Sequence, residues 1–108
     1  MSDYRFQVVR QSVGTHEVAR DKSRVVAELF IEQRKGFTFT EHVASEEVTE
    51  FIIKNNESIV VGQLFVLINS VLFFIFGTAA AEEAWNMEGD MVDLMDHAFP
   101  TASAAENL

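Results

Sequence analysis

The chain has 108 residues, enough for one domain, and a formal net charge of −9. Its apolar content of 48 % and aromatic content of 11 % exclude a disordered chain, and its single proline, Pro100, excludes a proline-rich or collagen-like one. With no cysteine there is no disulfide, thiolate metal site or cysteine nucleophile, and the acidic balance argues against direct nucleic-acid binding, which needs Lys and Arg on phosphates.

The charge is unevenly spread. All eight basic residues precede residue 58, where ten acids leave a net −2. Between Glu57 and Glu82 lie 24 residues without a charge, and beyond residue 81 seven acids stand with no Lys or Arg. Three regions follow: a mixed-charge N-terminal region over 1–57, an apolar segment over 58–84, and an acidic region over 85–108.

In chain order, Tyr4, Phe6 and Val8 alternate with Arg5, Gln7 and Val9, a short strand signature whose local partner would be Phe37–Thr40. Gly14-Thr15 opens a helix, with Thr15 as N-cap and Glu17 in the first turn. Val18, Val25, Val26, Leu29, Phe30 and Gln33 would share its buried face. Asp21–Arg24 and Arg24–Glu28 would pair outside it, and Gly36 would follow its C-terminus. An alternative makes Arg24–Gln33 and Phe37–Val43 a hairpin; the helical period fits better. A second helix is expected from Glu41 or Glu46 to Asn55, with Ala44, Val48, Phe51 and Ile52 as its apolar face.

The uncharged run weighs most. Fourteen of the eighteen residues from Ile59 to Phe76 are Ile, Val, Leu or Phe. As a helix the segment 58–81 would extend about 36 Å, enough for a hydrocarbon core of about 30 Å. At roughly −0.3 to −0.6 kcal/mol each, the apolar residues would favour insertion by about −4 to −8 kcal/mol. The expected fold is therefore mainly α: a short N-terminal strand, two amphipathic helices, one long transmembrane helix and a short acidic C-terminal helix. Arg34, Lys35 and Lys54 would hold the N-terminus in the cytoplasm. Gly62, Val66, Asn69, Ser70, Phe73 and Gly77 would form a helix-packing face, with Asn69 bonding across it. Two alternatives compete: a buried helix in a bundle, and a buried hairpin of Leu64–Ile68 and Val71–Phe76 around an Asn69-Ser70 turn.

Past the run, Ala79–Ala84 would continue the helix and Trp85 would sit at a membrane interface. Asp90 would cap a last helix, Met91–Phe99, stopped by Pro100, and residues 101–108 would be a loose tail. Met87, Met91 and Met95 recur every four residues, as packing residues or an adaptable face.

Motifs for chemistry are few. On a helix, His42, Glu46 and Glu50 would share a face that suits either a divalent metal or plain solvent, with solvent favoured. Asp90, Asp93, Asp96 and His97 would form an acidic surface for a basic partner. No nucleophile elbow, phosphate loop, zinc-protease helix or dinucleotide fingerprint is present. No catalytic residue, metal site or cofactor is expected.

Two functions fit. One is a small non-catalytic single-pass membrane protein, an accessory or structural subunit of a larger assembly. It would contact the membrane and other subunits, with self-association through the apolar helix. The alternative is a cytoplasmic, soluble, acidic α-helical inhibitor or interaction protein that binds a basic surface, with the apolar run as core or oligomer interface.

Overall fold

The computed structural model describes residues 4–76, 79–80 and 87–100, the side chains of 4–6 and 87–88 excepted. Strand β1 (Tyr4–Gln11) leads into helix α1 (His16–Glu32). Four strands follow, β2 (Thr38–Ser45), β3 (Val48–Lys54), β4 (Val60–Leu67) and β5 (Ser70–Phe76), and then helix α2 (Met87–Ala98). The strands make one antiparallel sheet in the order β1-β5-β4-β3-β2, so the first strand closes against the last.

This corrects the mainly α expectation at its centre. The segment expected to span a membrane is a β-hairpin, β4 and β5 paired from Gly62↔Ile75 to Leu67↔Ser70. Among the described residues no helix is long and apolar enough to cross a membrane. The reading as a single-pass subunit with a cytoplasmic N-terminus therefore falls with the span that carried it. The backbone adopts a hairpin, as the alternative had it, but turns one residue earlier, at Ile68-Asn69, with Ser70 paired to Leu67. Asn69, at φ 61°, turns the chain, in a conformation that Asn tolerates better than most residues. Both strands are rich in β-branched and aromatic residues, which fit a pleated surface better than a helix.

The second expected helix is also corrected. Residues 41–55 run through β2 and β3, paired from Thr38↔Lys54 to Ser45↔Val48. Their apolar residues satisfy a helical period by coincidence. In β3 the true period is two, with Thr49, Phe51 and Ile53 buried and Val48, Glu50, Ile52 and Lys54 on the other side. Asn55 ends the strand: its side-chain Oδ1 accepts from the backbone N–H of Glu57 and of Ile59.

Helix α1 starts as its residues dictate, the Thr15 hydroxyl accepting from the Val18 N–H at 3.2 Å. Its buried stripe is rotated from the expected one. Ala19, Ser23, Val26, Ala27 and Phe30 face the sheet, whereas Val18 and Val25 are exposed. The three small residues let the helix lie close to the strands. After it, Gly36 takes φ 82° where the chain passes the β3–β4 loop. A Cβ on Gly36 would stand 2.7 Å from Asn56 Cβ, so both the turn and the close approach require glycine. The strand expected at Tyr4–Val8 is present, with β5 as its partner instead of Phe37–Thr40.

Both helices lie on one side of the sheet. Phe30 of α1 meets Phe73 of β5 edge to face, with centroids 5.4 Å apart, and Met91 and Met95 of α2 are fully buried in the same core. The inward parity of the central strands (Leu64, Val66, Val71, Phe73 and Ile75) completes it. A bulge where β4 meets β3 adds Val61 to the buried set.

The parity predicts a sharp contrast between two phenylalanines. Phe73→Ala should cost about 3–5 kcal/mol by urea denaturation, as a large-to-small change in a closed core does. Phe65→Ala, on the opposite side, should cost less than half as much when measured at high dilution, where no second molecule covers that side. Equal losses would mean that the sheet is enclosed on both sides.

Candidate functional site

Each strand has a second parity, pointing away from the helices, and the register places these residues in rows across the sheet. One row runs Gln7, Phe74, Gln63, Ile52, Thr40, and the next Val9, Leu72, Phe65, Glu50, His42. Ser70 and Leu67 follow in the same sense. The centre of this face is apolar: Ile52, Phe65, Leu67, Leu72 and Phe74 are all only half-buried. Its borders are mostly polar, with Gln7 and Gln11 flanking the exposed Val9 on β1 and Thr38, Thr40 and His42 on β2. Neither described helix packs on it.

The face has internal order. The Phe65 and Phe74 rings meet edge to face, with centroids 5.5 Å apart at 77°. Gln63 Nε2 donates to Glu50 Oε1 at 2.8 Å. The other Glu50 oxygen lies 3.7 Å from His42 Nδ1. The single carboxylate in the apolar centre thus has a neighbour on each side from its own chain.

The residues picked out from sequence are redistributed. The expected helix-packing face does not exist as a helix face. Gly62 and Val66 lie in β4, Ser70 and Phe73 in β5, and Asn69 in the turn between them, while Gly77 falls outside the described residues. Val66 and Phe73 are core residues, and a Cβ on the buried Gly62 would sit 3.0 Å from the Phe74 carbonyl oxygen. Asn69 is exposed, and its backbone carbonyl accepts from the N–H of Ser12, just past β1 and distant in sequence. His42 and Glu50 are cross-strand neighbours, whereas Glu46 belongs to the β2–β3 turn. Among the described residues no three His, Asp or Glu converge as a metal site. Trp85 and Ala81–Ala84 lie outside the described residues, Ala79 and Ala80 are helical, and Met91 and Met95 are packing residues.

The acidic helix is partly committed within the chain. Arg34 donates to the Phe30 carbonyl and to Asp90, with its guanidinium 4.0 Å from the Phe30 ring centroid. Arg10, on the inward side of β1, pairs with Asp96. Of the three expected acidic contact residues, Asp93 is left exposed without such a bond. Elsewhere Arg24 grips Glu41 with two donors at 2.9 Å each, tying α1 to the edge strand β2. Hydrogen bonding to Glu41, helped by its charge and by Asp21, holds the Arg24 pKa above its usual value against some desolvation.

A cleft lies between the helices. It has a volume of about 360 Å³ and is lined by Val25, Val26, Leu29, Leu94, Ala98 and Pro100, with Lys22 and His97 as its charged or titratable members. The outward sheet face was missed from sequence because its residues alternate with the core set in an uninterrupted apolar run. The available signal was that both parities of 60–76 are apolar, which marks a strand covered on both sides.

No protein-family model, curated protein or solved structure matches the chain.

The Arg34–Asp90 link predicts a measurable coupling. A double-mutant cycle of Arg34→Met and Asp90→Asn should give about 0.5–1 kcal/mol in denaturation at low salt, shrinking as salt is added. A coupling of zero would return Asp90 to the pool of acids free for a partner.

Proposed function

We propose that the protein is a non-catalytic protein-interaction module that docks another polypeptide on the outward face of its sheet. The observation that supports this is the apolar centre of that face, Ile52, Phe65, Leu67 and Leu72, inside a polar border, with both described helices on the other side. Apolar centre and polar rim is the anatomy of a protein interface. Contiguous solvent-accessible apolar patches on small domains mark binding surfaces, and these four residues are half-buried, not closed into the core. The acidic helix supports docking to a basic surface less well, since Asp90 and Asp96 already hold Arg34 and Arg10.

The test is the native size of the protein in the cells that make it. Wild-type chain should run well above its own 12.2 kDa. Phe65→Glu should bring it down to that mass, and Glu28→Lys, on the exposed side of α1, should leave the assembly intact. A wild-type chain that runs as a monomer, or an assembly indifferent to Phe65→Glu, contradicts the proposal.

A further inference from the structure

We infer that the occupant of the outward face is a second copy of this chain, packed sheet against sheet about a two-fold axis. The inference rests on reading that face as an interaction surface, and names the partner. Three observations carry it.

The first is charge. The chain carries −9, and two copies repel wherever their acids meet. Among the described side chains of the outward face the formal charges are Glu50 and Lys54, which cancel. This is therefore where like copies approach with little penalty, whereas it offers a basic partner no excess of acid to recognise.

The second is polar satisfaction. Burying a carboxylate against a partner is costly unless its hydrogen bonds are made. Glu50 brings its own neighbours: Gln63 donates to one oxygen and His42 stands beside the other. One Glu50 oxygen is thus hydrogen-bonded within its own chain, while the other has only His42 Nδ1 at 3.7 Å, beyond hydrogen-bond distance, so the chain itself meets part of the polar demand of burial against a partner.

The third is shape and size. Two copies of one sheet share the same twist, the condition under which sheets stack in alignment about 10 Å apart with side chains interleaved. Five strands of about seven residues cover about 24 by 24 Å, near 600 Å² per copy seen flat. Side-chain relief raises the accessible area above that figure, toward the roughly 800 Å² per partner of stable specific interfaces. A two-fold pairing also sets the apolar centre on itself and the polar borders at the rim.

Light scattering on the purified full-length chain tests this. At about 100 µM, a concentration well above the Kd of a standard-size interface, the expected mass is twice 12.2 kDa. Phe65→Glu and Leu72→Lys should each return it to a single 12.2 kDa chain with an unchanged far-UV spectrum. Should one variant not fold, the other decides. A monomeric wild type overturns the inference, and so does a dimer that survives in a folded variant. If the purified chain is monomeric while the cellular assembly still depends on Phe65, the second copy is wrong and the docking face stands. If neither depends on Phe65, both readings fail.

Discussion

A sheet has two faces, and this chain covers only one of them with its described helices. That constraint organises the molecule. The helix of 17 residues between the first two strands and the helix of 12 after the last one both pack on the same side. The inward parity of every central strand is closed by Ala19, Ala27, Phe30, Met91 and Met95. The pairing of β1 with β5 brings the two ends of the fold together, and Arg10 under Asp96 and Arg34 under Asp90 tie the second helix to the strand and helix that begin the chain. Burial of the inward parity supplies the main driving force; these ion pairs set where the helices lie.

The same constraint explains what could be read in the sequence. Features with local chemistry were legible: the alternation in the first strand, the Thr15 cap and the stop of the last helix before Pro100, although that helix begins at Met87, ahead of the expected Asp90 cap. The run from Ile59 to Phe76 was not, because its two parities are both apolar and the period of two disappears. A helix that is hydrophobic all round and a strand that is hydrophobic on both sides look alike in one dimension. Composition should have tipped the choice, since β-branched and aromatic residues fill the run, and a spacing of three, four and seven among Gly62, Val66, Asn69 and Phe73 has no meaning on strands. In β3, Val48, Phe51 and Ile52 satisfy a helical face as well as a strand, and only pairing with β2 and β4 decides it. The candidate site was illegible for a related reason: its residues come from five strands and meet only through the register.

What suggested a membrane is thus the feature that now suggests a partner. Six of the fourteen apolar residues of the run lie in the core. Four others, Phe65, Leu67, Leu72 and Phe74, lie on the outward face, where lipid is replaced as the expected neighbour by protein. Polar residues fall where such an interface needs them: at the rim, and in the centre only as Glu50 beside Gln63 and His42. The helix-side cleft near Lys22 and His97 is separate from this surface.

The central claim is that the uncharged run is a pair of central strands. Residue-resolved amide hydrogen exchange, with backbone assignment, tests it most directly in water without detergent. The account predicts the slowest exchange in 60–67 and 70–76, with cross-strand contacts joining Val66 to Val71 and Leu64 to Phe73. Continuous helical contacts through Asn69, or exchange protection that appears only in detergent, would contradict it.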